Sequence, residues 1–142
     1  MKRTDHRGAV SVEAALLVPV LVLIAALATA GWRIWWASAQ VQSAAEAGAR
    51  VASQTINVRT AQSRVDAVVT ADLRTAGVHC QPMVLRDDLA AVALPAGVAG
   101  TVWVSVSCTV ELRDLLVPGL PGSVTVTGQA TEAIDMFRSR QP

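Results

Sequence analysis

Aromatic and charged residues are scarce in this 142-residue sequence. Tyrosine is absent, phenylalanine occurs once, and aromatic residues make up only 4% of the chain. Charged residues make up 16%, and twelve basic against eleven acidic side chains give a net charge of +1. Nucleic-acid binding depends on a concentrated positive field and on rings that stack with bases. We therefore expect no nucleic-acid partner, and the length is that of one small domain.

Histidine and cysteine, which catalytic and metal sites use most, occur only twice each. One histidine lies in the N-terminal tail and the other is His79, so neither a nucleophile–base pair nor a three-ligand metal site can be assembled. The adjacent Asp87 and Asp88 are interpreted as a solvated turn, and Glu111 and Asp114 as surface charges. The glycines form no phosphate-binding loop. The sequence therefore predicts no enzyme, no cofactor and no metal ion, and it identifies no small-molecule substrate.

Apolar residues, in contrast, make up 52% of the chain, and most of the excess lies in one uncharged run from Ala14 to Trp32. As a helix this run extends roughly 28 Å, close to the ~30 Å hydrocarbon core of a bilayer. Pro19 is compatible with this interpretation because membrane helices tolerate proline. We predict one transmembrane helix, so the membrane is the first expected partner.

The residues on either side of the apolar run predict its orientation. Lys2, Arg3 and Arg7 precede it, and the positive-inside rule places such a tail in the cytoplasm. An interfacial belt follows the run, and it comprises Trp32, Arg33, Trp35 and Trp36. Tryptophan is enriched at membrane surfaces, and a nearby arginine extends its charge towards them. We therefore expect a single-pass protein of the cytoplasmic membrane, with its N-terminus inside and its C-terminal part outside.

The two cysteines, Cys80 and Cys108, fall in the part of the chain that is expected outside. Disulfides form in oxidising compartments, and the spacing of this pair matches neither a metal site nor a redox motif. We predict a disulfide that joins a weak first strand to the rest of a sheet. Two buried free thiols are the alternative.

Glu13 stands at the edge of the apolar run, where a carboxylate is costly and usually functional. Upstream of it, Gly8 closes a short basic leader, MKRTDHRG, and Ala9 follows the glycine. This arrangement resembles the cleavage motif of type IV prepilins, which a membrane-embedded prepilin peptidase cuts after the glycine on the cytoplasmic side. The resemblance implies cleavage between Gly8 and Ala9. A plain interfacial role for Glu13 is the alternative.

The first fifty residues resemble, more specifically, the TadE-like pseudopilins of tight-adherence (Flp-type) pilus systems. The matching features are the basic leader, the glycine, the apolar segment EAALLVP and the continuation QVQSAAEAGAR. The resemblance implies a minor structural protein of a pilus assembly or secretion system. It also implies the partners, which are a prepilin peptidase and other pilins and pseudopilins of the same system.

Two other functions remain open from the residues alone. A single-span envelope protein would bind a ligand or partner through its head without entering a filament. A secreted protein would lose a signal peptide at the small residues near Ala28 or Ala30. The three hypotheses differ in where the mature chain begins.

The exported part has the pattern of an α+β domain. No proline interrupts residues 37–56, so the helix is expected to continue outside as a stalk, and the small residues around Gly48 contact either the protein's own head or another subunit. Apolar spacing predicts a second, amphipathic helix from Val58 to Ala76. Alternating residues predict strands at 101–110 and 123–130, with a weaker strand around 79–85.

These predictions together divide the chain into four parts. Residues 1–8 are a cytoplasmic leader and residues 9–36 a transmembrane helix. Residues 37–56 are a helical stalk, and residues 57–142 are an exported head with a small antiparallel sheet. The expected fold is pilin-like.

Overall fold

The apolar run is the first part of one long helix, α1 (Arg7–Ser53), in the computed structural model of the protein. The structure describes residues 7–113 and 122–135. Pro19 lies inside the helix, and the helix continues without interruption past the tryptophans. The predicted membrane segment and the predicted stalk are therefore one element, which ends at Ser53 rather than at residue 56.

The two halves of α1 have opposite environments. From Leu16, which is 71% exposed, to Leu27, which is 48% exposed, the large apolar side chains of α1 are exposed. In the second half one face is buried in the core, and its residues are Ala37, Val41, Ala44, Ala45, Ala49 and Ala52. Within the described residues, α1 is the one helix that is long and apolar enough to cross a membrane. A single helix thus carries both the exposed apolar segment and part of the core of the head.

The second helix, α2 (Val58–Thr75), forms where its apolar stripe was predicted. Asn57 caps its N-terminus, because the Asn57 side chain accepts hydrogen bonds from the backbone N–H groups of Arg59 and Thr60, at 2.9 and 3.4 Å. The buried residues of the stripe are Ala61, Val65, Val69 and Leu73. Gly77, at φ +70°, follows the helix in the left-handed conformation that commonly ends helices.

Three strands complete the described part of the head: β1 (Met83–Asp88), β2 (Gly100–Glu111) and β3 (Ser123–Ile134). They form one antiparallel sheet in the order β1-β2-β3. The predicted alternation along β2 is confirmed, because Val102, Val104, Val106 and Cys108 are buried on one face. On the opposite face, hydroxyl groups of β2 and β3 pair at 3.0–3.1 Å, in Ser107 with Thr127 and in Thr109 with Thr125. The α+β fold expected from the sequence is confirmed.

The small-residue patch of α1 packs against the protein's own head. A Cβ atom added at Gly48 would lie 3.1 Å from Val69 Cγ2, 3.3 Å from Val65 Cγ1 and 3.5 Å from Val104 Cγ1. These valines come from α2 and β2, so glycine and alanine let α1 approach both elements closely. Of the two contacts left open by the sequence, the structure contains the one within the subunit.

Strand β3 approaches the backbone of α1 even more closely. A Cβ atom at Gly128 would lie 2.6 Å from the carbonyl oxygen of Val41 and 2.7 Å from the N and Cα atoms of Gln42. The Gln42 side chain also joins the outward backbone of β3, because its amide donates to the Gln129 carbonyl at 2.9 Å and accepts from the Gln129 N–H at 3.0 Å. An edge strand normally leaves such groups unpaired. Gln42 therefore fastens the helix to the edge of the sheet.

Some expectations for the loops and the first strand were wrong. The weak strand expected around residues 79–85 lies further along, at Met83–Asp88, so Asp87 and Asp88 belong to a strand and not to a turn. Backbone pairing of these residues with Val104 and Trp103 of β2 outweighs the low strand propensity of aspartate. A short 3₁₀ helix, Ala90–Ala93, was not predicted. Asp114 lies outside the described residues.

Candidate functional site

The residues of the predicted cleavage motif lie in the first turns of α1. Gly8 and Ala9 follow the first residue of the helix, and Glu13 comes one turn after Ala9. Residues four apart lie on the same side of a helix, at roughly 6 Å along the axis. The backbone thus places the expected new N-terminus and the acidic residue on one face. The basic residues Lys2 and Arg3 of the leader lie outside the described residues.

The tryptophans of the predicted belt are exposed on α1, between its exposed apolar segment and the head. Trp32 is 62% exposed, Trp35 61% and Trp36 44%. The rings of Trp32 and Trp35 contact each other, with their centroids 5.3 Å apart. Large exposed indole rings beside an apolar helical surface have the composition of an interfacial belt. The role of these residues and of Arg33 at a membrane stays a prediction.

The predicted disulfide between Cys80 and Cys108 is present, with Cα atoms 4.9 Å apart. Cys108 is fully buried on the inner face of β2, and Cys80 precedes β1. Next to the bridge, the Gln81 N–H donates to the Thr109 carbonyl at 3.1 Å, and the Thr109 N–H donates to the Pro82 carbonyl at 3.2 Å. The bridge therefore fixes the segment that leads into β1 onto β2, rather than the strand itself.

A groove of about 460 Å³ lies at the junction between α1 and the head. Three elements contribute polar or aromatic residues to it: α1, the segment after α2, and the end of β2. These residues are Trp32, Arg33, Trp36, His79, Gln81 and Glu111. Sequence reasoning missed the groove because it treated His79 and Glu111 separately from the belt. Only the packing of the head on α1 brings them to the same place.

Asp87 lies in an environment that shifts its pKa. It lies on the inner side of β1, opposite the buried Val104, and its Oδ2 atom is buried without a hydrogen-bond partner among the described residues. Burial raises the pKa of Asp87 above its ordinary value of 3.8, and the negative charges of Asp66 and Asp88 raise it further. The ionised form of this carboxyl is therefore less favourable in the folded protein than in the unfolded chain.

Asp87→Asn is consequently expected to stabilise the head at pH 7. The pKa of Asp87 is higher in the folded state, so the folded protein holds the proton more tightly and the carboxylate lowers stability above the folded pKa. The advantage of asparagine should shrink as the pH falls through the folded pKa, and it should vanish below pH 3.8. Thermal unfolding of the full chain in detergent at several pH values measures this difference. An advantage of Asp87→Asn that stays the same from pH 7 to below pH 3.8 would contradict the assignment.

The metal-ligating residue types do not gather in the described part of the chain: no group of three or more His, Cys, Asp or Glu side chains there could hold an ion. The arrangement is instead that of an exposed apolar helix continuous with the core of an α+β head. Residues 8–50 match the model of a family described as TadE-like protein. The resemblance read from the sequence is confirmed over these residues.

The match covers α1 from Gly8 to Arg50 and leaves the rest of the head unmatched. No curated protein and no solved structure matches the chain. Proteins of this family are associated with tight-adherence pili and have a structural role. A more specific role for this protein depends on α1 and on the residues at its start.

Proposed function

We propose that the protein is a minor pseudopilin-like structural component of a tight-adherence (Flp-type) pilus assembly or secretion system. The family match over residues 8–50 carries this proposal. The matched segment contains the cleavage motif, the exposed apolar half of α1 and the part of α1 that packs in the head. A pseudopilin needs these three features in this order, because it is processed, held in the membrane and presented outside.

In this proposal the apolar half of α1 anchors the chain in the cytoplasmic membrane. Residues 1–8 form the cytoplasmic leader, residues 9–36 span the bilayer, and the stalk (37–56) and head (57–142) face outside. The basic leader supports this orientation, since positive charges stay on the cytoplasmic side. The Cys80–Cys108 disulfide also supports it, because such bonds persist in oxidising compartments.

Processing would follow from the first turns of the helix. A prepilin peptidase that cuts after Gly8 frees the α-amine of Ala9, which carries a positive charge. Glu13 lies one turn further on the same face, where a carboxylate can neutralise an amine in its own or in a neighbouring subunit. In a membrane an unpaired charge is costly, so this pairing would set the axial register between packed helices. Other pilins and pseudopilins are the partners that this pairing requires.

The mature N-terminus tests the proposal. We expect intact mass analysis of the membrane-extracted protein to show a chain that begins at Ala9 when a prepilin peptidase is co-expressed. Gly8→Leu should abolish this cleavage, because the peptidase must accommodate the residue before the cut. Gly31→Leu is the matched control: it adds the same side chain in α1 at a place where a Cβ has no neighbour within 4 Å, and it should be cleaved normally.

Two other results would contradict the proposal. An uncut chain in the presence of active peptidase favours a single-span envelope protein that binds a partner through its head. A chain that begins near Thr29 or Gly31 would be a secreted protein without an anchor.

A further inference from the structure

The groove at the junction between α1 and the head combines charges of both signs with two indole rings. We propose that it binds the headgroup of a zwitterionic phospholipid from the outer leaflet, one that carries a phosphate and an ammonium group. This inference rests on the membrane anchoring in the proposed function. It adds a lipid site that helps to fix how the head sits on the membrane surface.

The position of the groove along α1 favours a lipid as its ligand. The exposed large aliphatic side chains of α1 end at Leu27, and the groove begins about one and a half helical turns later, at Trp32. If the aliphatic segment fills the hydrocarbon core, the groove lies at the level of the headgroups. Lipid is therefore the most concentrated small ligand at its entrance.

The charges that line the groove favour a headgroup that carries both a positive and a negative charge. Arg33 also interacts within the chain, but its guanidinium has five planar N–H donors, enough to contact a phosphate oxygen as well, and His79 and Gln81 add further N–H donors. Glu111 adds a carboxylate, which repels a purely anionic headgroup and attracts an ammonium group. One cation and one anion in a single groove complement a ligand that carries both charges.

The aromatic walls of the groove favour a ligand that has an ammonium group and an apolar end. Trp32 and Trp36 line the groove and are 62% and 44% exposed among the described residues. Both rings therefore have exposed surface that a ligand can contact. An indole face attracts an ammonium group through its quadrupole, and the ring body also accepts apolar contact from the glycerol end of a lipid. The volume of about 460 Å³ lies within the ~300–1,000 Å³ of ordinary ligand sites.

The test reconstitutes the full chain into nanodiscs of equal phosphatidylethanolamine and phosphatidylglycerol and identifies the lipids that stay bound by native mass spectrometry. We expect phosphatidylethanolamine to be retained about tenfold over phosphatidylglycerol, the difference expected from one charge-assisted contact. Glu111→Gln should remove this preference, and Arg33→Gln should weaken retention of both lipids. Glu46→Gln and Arg64→Gln are matched controls outside the groove and should behave as the unchanged protein.

Free phosphoethanolamine and inorganic phosphate, added at millimolar concentration, distinguish a lipid from a soluble ligand. Neither should displace the lipid, because acyl chains in the bilayer keep the headgroup at the groove. Displacement by either compound would overturn the lipid assignment in favour of a soluble phosphate ligand. Equal retention of the two lipids by the unchanged protein, or an unaltered preference in Glu111→Gln, would overturn the inference as well.

Flotation of the same preparation separates this inference from the proposed function. A chain that floats with the bilayer but shows no lipid preference leaves the anchoring intact and removes the lipid site. A chain that fails to float contradicts both.

Discussion

Gly128→Ala is expected to lower the free energy of unfolding of the head by about 3 kcal/mol, at the upper end of the range for overpacked cores. The added methyl group would lie 2.6 Å from the Val41 carbonyl oxygen and 2.7 Å from backbone atoms of Gln42. Backbone atoms inside a helix cannot rotate away as the end of a side chain can. The strand or the helix must therefore move, and the paired hydrogen bonds between Gln42 and the Gln129 backbone are strained with it.

Urea unfolding followed by pulse proteolysis of the full chain in detergent measures this loss. Two glycines of α1 provide graded controls for the same substitution. Gly48→Ala meets only valine side chains, the nearest at 3.1 Å, and the gain of about 1 kcal/mol in helix propensity offsets the crowding, so little net change is expected. Gly31→Ala meets nothing within 4 Å and should not destabilise the head. An unfolding midpoint for Gly128→Ala equal to that of the unchanged protein would contradict the packing of β3 on α1.

Removal of the Cys80–Cys108 disulfide is expected to cost about 3 kcal/mol. The bridge closes a loop of 28 residues, which contains β1, the 3₁₀ helix and most of β2. Without it, the unfolded chain regains the conformational freedom of that loop. The effect is large for a small head, whose described part contains a three-stranded sheet packed on two α-helices.

Cys80→Ala is the better variant for this measurement, because Cys80 is only partly buried whereas Cys108 is fully buried in the core. The same urea experiment should show the loss in oxidising buffer. A reducing agent should destabilise the unchanged protein by a similar amount and have no further effect on Cys80→Ala. Identical midpoints of the unchanged protein with and without the reducing agent would show that the bridge contributes nothing.

The elements with strong local patterns could be predicted from the sequence. The apolar stripe of α2 and the alternation of β2 each arise from the burial of one face, which is repeated at a fixed period along the chain. The disulfide was predictable because two cysteines in an oxidising compartment have one way to pair.

Other features depend on contacts between distant parts of the chain. β1 ends in two aspartates, and only pairing with β2 shows that they lie in a strand. The hydrogen bonds of Gln42 to Gln129 join residues 87 positions apart, and nothing local indicates them. Gly128 did carry a signal, because a glycine within an alternating strand often marks the close approach of another backbone.

The candidate sites also differ in this respect: one has a local sequence pattern, and the other depends on contacts between distant parts of the chain. Gly8, Ala9 and Glu13 lie within a few residues of one another, so a local motif was enough to propose them as a cleavage site, and that site stays a prediction. The groove joins Trp32 and Arg33 to Glu111, and its formation requires the head to fold back onto α1. A site assembled by tertiary packing from three segments leaves no spacing pattern in the sequence.

The number of pili on the cell surface tests the central claim most directly, in a native host from which the gene for this protein has been deleted. If the chain is a processed component of a pilus assembly system, the deletion strain should lack surface pili. The unchanged gene should restore them and Gly8→Leu should not, whereas Gly31→Leu, which alters an open position of α1, should restore them. Pili in normal number on the deletion strain would contradict the account.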